Sequence, residues 1–174
     1  MRDVILIHGN ECSRQRYYNI IELARKFSPN KPIVCNEDSQ AIGQLEVAFK
    51  TNTSWGYYNN LTKQEPPTDW GITKGEDLFF AYRMAELIGI KLPPILKEDQ
   101  YYLQGFEPNM EYEGKRWIRL ASLYPETINY VDFYKDNKLM YTSYNEPFSV
   151  NFSSNWKQYH TDTESGQVWV AKII

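Results

Sequence analysis

Short apolar runs and helical stripes alternate along the first half of the chain. Val4-Ile5-Leu6-Ile7 leads into His8-Gly9-Asn10-Glu11, and Ile33-Val34-Cys35, opened by Pro32, leads into Asn36-Glu37-Asp38. Continuous apolar runs of this length, without polar alternation, predict strands buried on both faces, as in parallel sheets covered by helices. Between them Tyr17, Ile20, Ile21, Ala24 and Phe27 recur at helical spacing. Ser13 is a suitable N-cap, and Ser28-Pro29-Asn30 stops the helix. Residues 2–38 therefore predict a βαβ unit. Asp38 or Ser39 is expected to cap a second helix carrying Ile42, Leu45, Ala48 and Phe49, weakened by Gly43. Ser54 to Tyr58 predicts a third strand, followed by a long polar loop containing Pro66, Pro67 and Trp70. Thr73-Lys74-Gly75-Glu76 has the form of a capping box for a third helix through Leu78, Phe79, Tyr82, Ala85 and Ile88. Gly89 and Pro93-Pro94 end it.

After Lys115 the period changes to two. Trp117, Arg119 and Ala121 alternate with Ile118, Leu120 and Ser122, and a second alternating run spans Ile128 to Tyr134. Lys135-Asp136-Asn137-Lys138 predicts a hairpin turn, with Leu139 to Tyr144 as the return strand. Phe148 to Phe152 and Gln167 to Ile173 bring the count to at least five strands. The expected architecture is α/β followed by all-β. Residues 1–94 hold three βα units, 95–114 form a linker, and 115–174 form a small antiparallel β-sandwich of immunoglobulin-like pattern. At about 60 residues, without paired cysteines, this module is shorter than the ~100 typical of that class.

Composition narrows the function classes. The formal net charge is −3, so the basic footprint of a nucleic-acid binder is missing. No apolar stretch approaches the roughly 20 residues that span a bilayer, and no membrane partner is expected. The four apolar residues before His8 are too few for the core of a signal peptide, though a longer secreted parent stays open. Cys12 and Cys35 are expected as reduced thiols, without zinc-type spacing, so no metal is expected. No cofactor is expected either: glycine-rich phosphate loops are absent, as is the G-x-S-x-G elbow of serine hydrolases. The 16% aromatic content, rich in Tyr and Trp, suits a surface that stacks on sugar rings and equally suits a sandwich core.

In α/β sheets ligands gather at the carboxyl ends of the strands. Glu37 is the carboxylate placed there, beside Asn36 and, on the preceding strand, His8. Trp55 and Tyr57 stand on the following strand, and Trp70 in the loop after it. Each has a plainer reading. Glu37 suits a helix N-terminus by charge. His8 and Asn36 suit loop and strand-end roles. Trp55 and the weaker candidates Tyr57 and Trp70 suit a core. Glu11, Asp162 and Glu164 read as solvated.

The order VILIHGN, PIVCNED, TSWGYYN, followed by the sandwich stretch INYVDFYKDNKL, resembles the C-terminal part of a clan-A-type glycoside hydrolase. That is a (β/α)8 barrel with a β-sandwich appendage. The resemblance implies that the three runs are the sixth, seventh and eighth barrel strands. It places Glu37 as the nucleophile and Trp55 as the platform under the sugar, with His8, Asn36, Tyr57 and Trp70 as further substrate contacts. It also implies a carbohydrate substrate or ligand. The first five strands, and the family's Asn-Glu acid/base after the fourth, have no counterpart here. A retaining mechanism needs two carboxylates about 5 Å apart. The resemblance therefore implies a fragment completed by a chain supplying the missing strands, or a remnant that binds sugar without cleaving it.

Overall fold

The computed structural model describes residues 3–10, 12–38, 42–56, 72, 74–105, 114–154 and 169–174. The chain divides at Pro94 into two units, 1–94 and 95–174.

In the first unit, strands β1 (Ile5–Leu6), β2 (Ile33–Cys35) and β3 (Ser54–Trp55) form one parallel sheet in the order β1-β2-β3. Ile5 pairs with Ile33, and Cys35 with Trp55. Backbone bonds extend the ladder towards the carboxyl ends, from Ile7 N to Val34 O at 3.0 Å and from Gly56 N to Cys35 O at 2.9 Å. Helices α1 (Arg14–Phe27), α2 (Ile42–Lys50) and α3 (Glu76–Leu87) follow the three strands in turn. Consecutive strands that remain neighbours, each followed by a helix, make a singly wound α/β sheet.

The core of this unit is built from alternate strand residues. Ile7, Ile33 and Cys35 pack with Tyr17 and Ile21 of α1 and Ala48 of α2. Side chains of opposite parity face away, and here the expectation of strands buried on both faces is corrected. Leu6 is 59% exposed and Val34 only half-buried. The helices cover one face, and among the described residues the apolar side chains of the other face keep contact with solvent.

The helix stripes hold except at their C-terminal ends, where Phe27, Phe49 and Ile88 are exposed. Ser13 caps α1, its hydroxyl accepting from Arg16 N at 3.3 Å. Phe27, in the last turn of α1, is 76% exposed. The capping box does not form as expected. Gly75, at φ 83°, is the N-cap of α3, so Glu76 is the first helical residue instead of the fourth position of the box. The three helices are joined through Glu46 of α2, which pairs with Arg14 of α1 and Arg83 of α3.

Among its described residues the second unit has six antiparallel strands: β4 (Tyr101–Gln104), β5 (Gly114–Ser122), β6 (Val131–Lys135), β7 (Lys138–Ser143), β8 (Phe148–Ser154) and β9 (Trp169–Ile173). They form two three-stranded sheets, β4-β5-β8 and β7-β6-β9. Ile118, Leu120, Phe148 and Val150 of the first sheet share one core with Val131 and Phe133 of the second. The 95–114 linker is corrected: Tyr101 to Gln104 pair with Ser122 to Arg119 as an edge strand, and Leu123 N bonds Gln100 O at 2.9 Å. The predicted hairpin is present. Asp136 and Asn137 both adopt positive φ, 48° and 64°, as a two-residue turn of matching twist requires. The run from Ile128 starts later than its alternation suggested. Pro125–Thr127 form a 3₁₀ turn, and Ile128 reaches the same core as Val131, three residues on.

Candidate functional site

The carboxyl ends of β1, β2 and β3 meet around the side chain of Asp38. Its Oδ1 accepts the Gly9 backbone N–H at 3.1 Å, from the end of β1. Its Oδ2 accepts the Trp55 indole N–H at 3.1 Å, from the end of β3, and lies 3.5 Å from the Cys35 thiol of β2. Asp38 is 2% exposed. A buried carboxylate needs donors on both oxygens, and these come from all three strands. This is also the side chain expected to cap the next helix; residues 39–41, which lead into α2, lie outside the described residues.

The backbone after β1 is shaped to allow this. A Cβ on Gly9 would overlap the Tyr17 ring and sit 2.9 Å from Asp38 Oδ2, so only glycine lets the chain approach so closely. Gln44 of α2, wholly buried, donates to the carbonyls of Gly9 and, at 3.4 Å, of Cys12. The His8–Cys12 turn is therefore held from below by Gln44 and from the side by Asp38.

On the solvent side, His8 Nδ1 lies 2.6 Å from the backbone carbonyl of Glu37. A carbonyl oxygen only accepts, so Nδ1 carries the proton and a neutral His8 presents Nε2 as an acceptor. His8, Asn36 and Glu37 are all exposed. Trp55 is half-buried, packed on the core of the sheet and against Phe80 of α3, with ring centroids 5.7 Å apart. Four of the candidate residues, His8, Asn36, Glu37 and Trp55, thus stand at the same end of the sheet. Tyr57 and Trp70 lie outside the described residues, as do Glu11, Asp162 and Glu164. Gly9 and Gln44 have no role in the sequence reading, and Asp38 is expected there only as a helix cap. Asp38 carried a signal, as the acidic neighbour of Glu37, but its partners are 17 and 29 residues away.

Below this rim the groups are buried and protonated. Burial, before the influence of nearby Asp38, pushes the Cys35 thiol up from 9.0 to about 11. Burial, then the neighbouring Cys35, drives the Tyr17 phenol well above its ordinary range. Both groups are harder to ionise folded than unfolded. Their stabilisation is complete below the unfolded values and is lost as pH rises through the folded ones. The urea midpoint of the first unit is expected to fall between pH 9 and pH 11, with Cys35 contributing about 3 kcal/mol of that loss. Equilibrium unfolding at stepped pH checks this, and Cys35→Ala should flatten the slope.

Among the described residues no group of three or more His, Cys, Asp or Glu side chains is placed to hold a metal ion, and no helix is long and apolar enough to cross a membrane.

No family model and no curated protein matches this chain. Two solved structures are weakly similar across 99% of it: a Bacteroides uniformis beta-glucuronidase, at TM-score 0.27 and 9% identity, and a calcium-binding mutant of Bacteroides uniformis beta-glucuronidase 2, at TM-score 0.26 and 10% identity. The chain spans about a quarter of the length of each, 26% and 25%. The structural neighbours are thus glycoside hydrolases, at weak likeness.

Proposed function

We propose that this chain is the nucleophile-bearing part of a carbohydrate-active glycoside hydrolase, built on three βα units of a (β/α)8 barrel with an immunoglobulin-like sandwich after it. Glu37 is the attacking carboxylate and Trp55 the platform beneath the sugar, with His8, Asn36, Tyr57 and Trp70 as further contacts. One observation carries the reading: an exposed glutamate follows the middle strand of a singly wound parallel sheet, flanked by a histidine and an indole on the adjacent strand ends. The open face supports it too. Parallel sheets are ordinarily covered on both sides, and side chains such as Leu6 suit a barrel interior closed by further strands.

A second carboxylate is required to protonate the leaving oxygen. Asp38 is buried and engaged with three groups, which leaves it unsuited to that role. The acid/base must then come from strands supplied by preceding sequence or by another chain. In a polypeptide that provides them, Glu37→Gln is expected to lower turnover on the order of 10⁴-fold or more while sugar affinity persists. Unchanged turnover removes the assignment.

The commitment of Asp38 also favours a second reading, a carbohydrate-binding module without chemistry. Calorimetric titration of the 174-residue chain with soluble oligosaccharides separates the two. Binding lost with Trp55→Ala and kept with Glu37→Gln, joined to no turnover in any completed form, marks the module.

A further inference from the structure

We infer that Asp38 is a positioning residue for this rim: one oxygen sets the loop that carries His8 and the other orients the Trp55 indole. The inference rests on the reading of Glu37 and Trp55 as sugar-facing, and it assigns a role to a residue that touches neither sugar nor scissile bond.

The geometry separates the two functions of one carboxylate. Oδ1 takes Gly9 N, the residue after His8, and His8 in turn donates to the carbonyl of Glu37. Oδ2 takes Trp55 Nε1. An indole has one polar atom, so a hydrogen bond there fixes the rotation of the ring plane in a way that apolar packing alone does not. Phe80 packs against that ring from α3, with centroids 5.7 Å apart. The Cys35 thiol, a weak donor, also lies 3.5 Å from Oδ2, and 3.9 Å from the Glu37 carbonyl. An apolar side chain here would leave two donors orphaned, and an amide would offer one oxygen to two N–H groups. Only a carboxylate satisfies both.

The test needs no sugar, so its failure is distinct from failure of the sugar-platform reading, which the Trp55→Ala titration measures. The chain holds five tryptophans and two histidines, His8 and His160. With 5-fluorotryptophan incorporated, the Trp55 ¹⁹F line is identified by its loss in Trp55→Phe. Long-range ¹⁵N spectra near pH 8, above the ordinary imidazole range of about 6.5, report the His8 tautomer. In the unaltered chain His8 should be protonated at Nδ1. In Asp38→Asn at least one donor faces an amide N–H. Either the Trp55 line must shift or broaden, or His8 must move towards the Nε2–H form, while the other four fluorine lines hold. Cys35→Ala, which removes a different contact to the same carboxyl, should leave both signatures in place. Asp38→Asn with both signatures unchanged overturns the inference. Should that variant fail to fold, hydrogen exchange in the unaltered chain decides: the Trp55 indole N–H should be protected, and exchange at the rate of free indole overturns the proposal.

Discussion

Asp38→Ala is expected to cost the first unit about 3 kcal/mol, because two buried N–H donors lose their acceptor, at roughly 1–3 kcal/mol each. The donors are the Gly9 amide and the Trp55 indole, both 3.1 Å from the carboxylate in the folded state. Unfolding returns them to water, so the whole loss falls on the native state. Collapse cannot close the gap cheaply, since the wholly buried Tyr17 ring already lies against Gly9. Among the described residues the three α-helices all belong to residues 1–94, so urea unfolding followed by helical circular dichroism reports this unit. The midpoint should drop at unchanged slope. An unchanged midpoint would mean that the donors find water at the rim, and that the carboxylate serves geometry more than stability.

What the sequence made legible depends on the distance over which each feature is decided. The Ser13 cap and the Tyr17/Ile21 stripe are settled within a few turns of helix, and the Asp136-Asn137 turn within four residues. These local patterns transferred directly. The carboxyl-edge grouping of His8, Glu37 and Trp55 was also legible, because a polar residue after an apolar run marks a strand end wherever the strand sits. Three features were not. Strand β4 is an edge strand of four residues whose pairing with β5 is non-local, and its flanking Gly and Pro read as linker. Phe27 continues an ideal stripe, but it falls in the last turn of α1 and is exposed, a helix-end effect that periodicity alone does not mark. Asp38 and Glu46 are the strongest case. Asp38 is expected only as a helix cap and Glu46 stands out in no pattern, yet both are buried, with partners from separate elements converging on them. A single-chain pattern carries no information about such convergence.

Glu46→Ala is expected to destabilise the first unit by roughly 3–5 kcal/mol, the larger of the two effects. Glu46 sits on α2 with its side chain 7% exposed, and its two oxygens meet Arg14 of α1 and Arg83 of α3. Alanine would remove the carboxylate that two guanidiniums share, one of them 11% exposed. The penalty arises from the loss of a shared buried counter-charge more than from any net gain of the native ion pairs, whose desolvation offsets most of their attraction. Glu46→Gln separates the terms: it keeps volume and one acceptor and should cost less than alanine. Glu86, which meets Arg83 at 3.4 Å from an exposed position, provides the contrast. Its replacement by alanine should move the midpoint within about 0.5 kcal/mol, as exposed ion pairs do. Urea unfolding at low and high salt distinguishes the two sites, since screening acts on exposed pairs and little on buried ones. A Glu46→Ala loss that vanishes at high salt would place this junction in solvent. A loss that persists makes Glu46 the clamp that holds α1 and α3 to α2, and through α2 sets the height of Gln44 beneath the His8 turn.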